Sequence, residues 1–264
     1  MSPYLPPLIG MGAIYLAIIL LNERLGIFQC DRFATPLRKW VAYGWLGIFM
    51  LFLAYIVTNS ALNQPTPKQL AATPFYLLFG LHFVLILFLL GWWLLVGRPP
   101  LSEFLNIQRE NKGDAVLTGL AVGVGGWIIT ILLAVIIAFS LMQLKVLPRE
   151  PKPPAVIGYL LALPVWKKAL IILSAMTVEE AFFRGWLQKR IGLIASTALF
   201  AMAHLTMGQP FVLIGVTIVS IVIGITFYRT RNLIPGVIAH GVFDAVQLFV
   251  IIPIAFRMGA MGGS

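Results

Sequence analysis

Residues 115–142 read AVLTGLAVGVGGWIITILLAVIIAFSLM, 28 consecutive positions without a charged side chain. An apolar helix needs about 20 residues to cross a bilayer, so this run predicts a membrane-spanning helix. Similar runs recur along the chain at 41–57, 74–96, 169–186, 197–207, 211–228 and 233–252, with a shorter one at 8–21. The run at 155–163, closed by Pro164, is too short to span and predicts an interfacial or re-entrant segment. The expectation is an all-α, polytopic integral membrane protein with about eight transmembrane helices.

Composition points the same way. Hydrophobic residues make up 60% of the chain and charged residues 11%, against about 25% charged in soluble domains. The mean hydropathy is +0.95. The first apolar run lacks the charged leader and small-residue cleavage site of a removable signal, so the first helix is expected to remain. A single cysteine, Cys30, excludes an intrachain disulfide and a thiolate metal cluster. The net charge of +10 comes from lysines and arginines scattered through short loops rather than gathered on one face, so positive-inside topology explains it and no nucleic-acid partner is expected.

Arg24, Arg32, Arg38 and Lys39 assign the loop before the second span to the cytoplasm. Alternation then puts Arg98, Arg109 and Lys112, next Arg184, Lys189 and Arg190, and finally Arg229 and Arg231 on the same side. Lys145, Arg149, Lys152, Lys167 and Lys168 fall on the other side. Either an extra crossing hides between residues 155 and 164 or the rule is broken there. The prolines at 148, 151, 153 and 154 favour an extended connection, which divides the chain into amino-terminal transmembrane helices, 1–145, and a carboxy-terminal core, 146–264. In the first part His82 is the one acid or base within a span, and it reads as a satisfied helix-packing residue. Gly119 and Gly123 form a small-xxx-small spacing that permits close helix contact.

The chemistry lies in the second part. Three of the nine acidic residues, Glu179, Glu180 and Asp244, and two of the three histidines, His204 and His240, sit in otherwise apolar stretches. A carboxylate at membrane depth costs about 2.5–3.5 kcal/mol on insertion scales, so chains that carry one usually pair it and use it. Adjacent helical residues point about 100° apart, so Glu179 and Glu180 cannot share a role. Glu180 and Arg184 are four apart with the acid first, the favourable order for an ion pair. That pairing leaves Glu179 as the carboxylate free to take a proton. His240 and Asp244 are one helical turn apart and share a face. An imidazole can shuttle a proton near neutral pH, and a second one can donate to a developing oxyanion.

EExxxR at Glu179, Glu180 and Arg184, FxxxH at Phe200 and His204, and HxxxD at His240 and Asp244 together resemble the three motifs of the CPBP family. These are the type II CAAX prenyl endopeptidases and bacteriocin-processing enzymes, also named the ABI family of intramembrane glutamic proteases. The resemblance covers roughly residues 155–252. It implies a peptidase in which Glu179 and His204 position and deprotonate a water while His240 and Asp244 polarise the scissile carbonyl, with Glu180 and Arg184 as a supporting ion pair. It also implies a metal-free reaction without cofactor. Asparagine is usual at the position of Asp244 in the CAAX-processing eukaryotic members, whereas many bacterial members carry aspartate. An ionised aspartate repels an oxyanion, so the expected role of Asp244 is to orient His240. The expected partners are a peptide or protein substrate arriving from the membrane or the cytoplasmic side and the lipid bilayer. The expected location is a bacterial-type plasma membrane.

Three alternatives stand beside this reading. Glu179, His204 and His240 have the composition of a catalytic zinc site. A non-catalytic scaffold or bacteriocin-immunity protein would use the same polar cluster for binding. A proton-coupled transporter would also carry intramembrane acids, although no inverted repeat is visible.

Overall fold

Proline at the first helical position and a side-chain oxygen just before it start several of the helices. Thr35 precedes Pro36 and its hydroxyl accepts from the Arg38 amide. Thr66 and Gln69 form a reciprocal capping box around Pro67. In the computed structural model, which describes residues 2–108, 111–147, 155–207 and 210–261, the chain is helical and, among those residues, without strands. The helices are α1 (Leu5–Leu25), α2 (Pro36–Leu62), α3 (Pro67–Ala72), α4 (Gly80–Leu95), α5 (Leu101–Phe104), α6 (Lys112–Gln143), α7 (Ala155–Ala162), α8 (Val165–Ser174), α9 (Lys189–Ala203), α10 (Pro210–Thr230), α11 (Leu233–Val246) and α12 (Ile252–Met261).

Among the described residues six helices are long and apolar enough to cross a membrane, covering Leu5–Asn22, Pro36–Leu62, Phe75–Leu95, Lys112–Gln143, Val212–Thr230 and Leu233–Ile254. The chain is a multi-pass membrane protein of all-α class. These six correspond to six of the eight runs expected. The other two are helical but differ in kind. Residues 165–191 form one continuous rod of α8, two π-wound segments (Ala175–Glu179 and Ala181–Gln188) and the start of α9, and its apolar part carries Glu179, Glu180 and Arg184. At Gly192 the backbone turns to φ 78°, ψ 177°, a conformation open to glycine. That break leaves only a short helix up to Ala203.

The two ends of the bundle are defined by contacts between loops. At one end Arg190 pairs with Asp31, Lys189 donates to the Phe104 carbonyl at 2.9 Å, and the Leu233 amide donates to the Asn106 carbonyl at 2.8 Å. Among the described residues, this end gathers the basic residues assigned above to the cytoplasm, with one exception. Arg184 is 1% exposed and lies in the core, because Glu180 draws it inward. At the opposite end α7 packs on α3 and α12, and Lys167 sits 4.9 Å from the centre of the Phe75 ring. Eight residues of α7 cannot cross the bilayer, so no hidden crossing restores the charge rule there. Lys168 is buried and donates to the Leu161 carbonyl at 3.1 Å. The proline-rich connection at 148–154 lies outside the described residues.

Aromatic side chains weld the amino-terminal helices to the 165–191 rod. Phe88 of α4 meets Phe49 of α2 at 4.0 Å and Trp186 at 4.8 Å, and Trp92 meets Trp186 at 5.1 Å. On the other side α6 packs against α10 and α11. A Cβ built on Gly119 would stand 2.6 Å from the Ile238 Cβ, and one on Gly123 2.7 Å from the Val242 Cβ and 3.2 Å from the Ala239 Cα. The small residues are thus what admits α11, the helix that carries His240. Gly123→Val is expected to destabilise the protein by about 1–3 kcal/mol through overpacking. Thermal unfolding in detergent checks this, and an unchanged melting temperature would contradict the close packing.

Candidate active site

Winding decides where the diglutamate points. Glu179 ends the π-wound turn Ala175–Glu179, and Arg184 lies within the second π-wound segment. Such turns cluster at functional positions because they rotate side chains away from the α-helical register. Glu180 is fully buried and the Glu179 side chain is 14% exposed, and they face different partners.

Glu180 bridges two helices. Its Oε1 lies 2.9 Å from Nδ1 of His240, and its Oε2 lies 3.2 Å from Nε of Arg184. The second approach is an ion pair out of line for a hydrogen bond. The Arg184 guanidinium continues to α10, donating to the Ser220 hydroxyl at 3.1 Å and the Ser220 carbonyl at 3.3 Å. It also lies 4.7 Å from the centre of the Phe200 ring. The Ser220 hydroxyl in turn donates to Thr197 Oγ1 at 3.3 Å.

Phe200 serves as the floor on which both motif histidines rest. The His204 ring lies 4.7 Å from it and the His240 ring 6.2 Å. Nδ1 of His204 is 2.9 Å from the Phe200 carbonyl. A carbonyl only accepts, so Nδ1 carries the hydrogen and the neutral ring keeps Nε2 as a lone-pair acceptor. Nδ1 of His240 faces Glu180, and its Nε2 lies 3.5 Å from Oδ2 of Asp244, long for a hydrogen bond.

Glu179 turns the other way. Its Oε1 is 3.0 Å from Nε2 of His82, and Nδ1 of His82 is 2.7 Å from the Ser174 hydroxyl. Its Oε2 is buried without a hydrogen-bond partner among the described residues. Contacts thus join Glu180, Arg184, His240 and Asp244, with His204 beside them on Phe200, while the direct partner of Glu179 is His82. His82 has both ring nitrogens satisfied across a helix contact, as the packing reading expects, and its partners are two side chains of the diglutamate rod. A lone histidine in an apolar helix carries no local signal of this. The Glu180–His240 contact was equally illegible, since the two residues lie 60 positions apart.

A metal would need a converging ligand set. Among the described residues no group of three His, Cys, Asp or Glu side chains comes together in a way that could hold a metal ion. The zinc alternative thus finds no preformed ligand set here.

Comparison with known proteins agrees with the motif resemblance. Residues 161–246 match the family described as Type II CAAX prenyl endopeptidase Rce1-like. That segment contains every motif residue named above. The chain is also 39% identical over 69 residues to an uncharacterized protein, YpbD, of Bacillus subtilis (strain 168), a stretch that is 26% of this chain and 36% of that protein. The matched part thus spans about a third of the length of this curated relative. No solved structure matches the chain significantly.

Proposed function

We propose that this chain is a CAAX-protease-like intramembrane endopeptidase that hydrolyses a peptide or membrane-associated protein substrate with a glutamate-activated water. The observation that carries the reading is Glu179, whose one carboxylate oxygen is anchored by His82 while the other is buried without a hydrogen-bond partner among the described residues. The match of residues 161–246 supports the class of reaction.

In this reading a water lies between Oε2 of Glu179 and Nε2 of His204. As its oxygen bonds to the scissile carbonyl carbon, its proton passes to Glu179. The carbonyl oxygen becomes an oxyanion, to which Nε2 of His240 donates while its Nδ1 stays on Glu180. Asp244, against Nε2 of His240, orients the ring rather than touching the oxyanion. When the C–N bond breaks, the proton held by Glu179 leaves with the amine. Glu180 and Arg184 hold His240 and the Phe200 floor without exchanging protons. The products are a new carboxylate and a new amine, and no other reactant is required.

The test uses purified full-length protein in proteoliposomes with farnesylated and unmodified peptides ending in Cys-aliphatic-aliphatic-X, products being read by mass spectrometry. Internal cleavage of at least one peptide is expected, with a rate changed less than about twofold by a strong zinc chelator. Loss of cleavage on chelation would favour the zinc site. Folded protein that cleaves none of the peptides would favour the scaffold or immunity reading.

A further inference from the structure

We infer that His82, from the amino-terminal helices, is a positioning residue for Glu179. This rests on the proposed role of Glu179 as base and adds to it a component that none of the three motifs contains. Both nitrogens of the His82 ring are committed to one neighbouring rod, Nδ1 to Ser174 at 2.7 Å and Nε2 to Glu179 at 3.0 Å.

Helix geometry explains why one imidazole can hold both. Ser174 and Glu179 are five residues apart, which at 3.6 residues per turn would set them about 140° apart around an α-helix. The π-wound turn Ala175–Glu179 lies between them, and its i→i+5 pattern brings residues five apart close to the same face. His82 therefore reads this local winding as well as the carboxylate.

The hydrogen-bond roles are fixed by chemistry. An ionised Glu179 can only accept, so Nε2 of His82 donates to it. Nδ1 then has a lone pair, and the Ser174 hydroxyl donates to that. The arrangement holds Oε1 in place and leaves Oε2 facing the reacting side. An imidazole oriented by a hydroxyl and clamping a carboxylate is a second layer of support of the kind that catalytic groups require to hold their geometry. Ring contact of His82 is limited to Phe79, at 6.3 Å, among the described aromatic pairs.

The experiment compares wild type, His82→Leu, His82→Gln, Ser174→Ala, Glu179→Gln and the double variant His82→Leu with Glu179→Gln, all full length in proteoliposomes, on the best-cleaved farnesylated peptide. In His82→Leu kcat is expected to fall about 10- to 100-fold with KM within about twofold, the scale of a reacting group displaced by about 1 Å. Gln places an amide N–H where Nε2 stood and an acceptor toward Ser174, so His82→Gln should recover most of the loss. Ser174→Ala should cost a few-fold. The double variant should be no slower than Glu179→Gln alone, since both act through one carboxylate.

Wild-type turnover in His82→Leu, or an additional loss in the double variant that Gln does not rescue, would overturn the inference while leaving Glu179 as base. Full turnover in Glu179→Gln would instead overturn the proposed function. A second readout needs no substrate. The Glu179 carboxylate band in isotope-edited infrared spectra, assigned by its loss in Glu179→Gln, should shift in His82→Leu and return in His82→Gln. An unshifted band in His82→Leu would also overturn the inference.

Discussion

Replacing Glu179 by Gln is expected to lower peptide hydrolysis by about 10³-fold or more, within the range that general-base catalysis contributes, while the helices stay folded. The substitution is nearly isosteric. The amide oxygen can still accept from Nε2 of His82, 3.0 Å away in the native protein, so the anchor survives. What is lost is the basic oxygen at the Oε2 position, where an amide nitrogen now donates and cannot take a proton. Binding of substrate should persist, so the loss falls on kcat rather than KM. Circular dichroism and thermal unfolding in detergent supply the folding control. Turnover within about fivefold of wild type, by a protein that melts normally, would remove Glu179 from the base role. A scaffold would bind its partner equally well with either residue, whereas a proton-coupled transporter would lose flux.

What could be read from the sequence and what could not follow from the range of each interaction. Apolar runs are local, so residues 115–142 announced a span, and Gly119 and Gly123 announced a close helix contact that α11 makes. The ion pair of Glu180 with Arg184 is also local, being four residues apart on one rod. Arg184 nevertheless misled the charge count, because a guanidinium near a run of basic residues resembles a membrane-surface marker until its partner pulls it into the core. Contacts between distant segments left no trace. Glu180 reaches His240 across 60 positions and His82 reaches Glu179 across 97. The π winding was illegible for a different reason. It is a matter of backbone register rather than of residue type, and it brings Ser174 and Glu179 close to one face, where His82 meets both. Lys167 and Lys168 looked like a topological anomaly. The structure gives Lys168 a carbonyl partner and Lys167 an aromatic one, Phe75.

The largest effect on stability is expected at Arg184. Its side chain is 1% exposed and that of Glu180 is fully buried. Removing one member of a buried pair leaves an uncompensated charge, which costs about 3–5 kcal/mol. Arg184→Met keeps the bulk of the chain but leaves Glu180 with His240 as its ionic neighbour, removes the donor to the Ser220 hydroxyl and carbonyl, and takes the cation from the face of Phe200. The melting temperature in detergent should fall by roughly 6–20 °C. Turnover should fall with it, because Phe200 supports both His204 and His240. Arg184→Lys should lie between the two, since a point charge cannot span Glu180 and Ser220 as a fork does. Pairing Arg184→Met with Glu180→Gln separates charge from packing. The amide still offers an oxygen to Nδ1 of His240 but no longer carries a buried charge, so the double variant should regain more than half of the lost stability. If it instead melts at or below Arg184→Met, the cost lies in the contacts with Ser220 and Phe200, and the ion pair is not what holds this part of the bundle together.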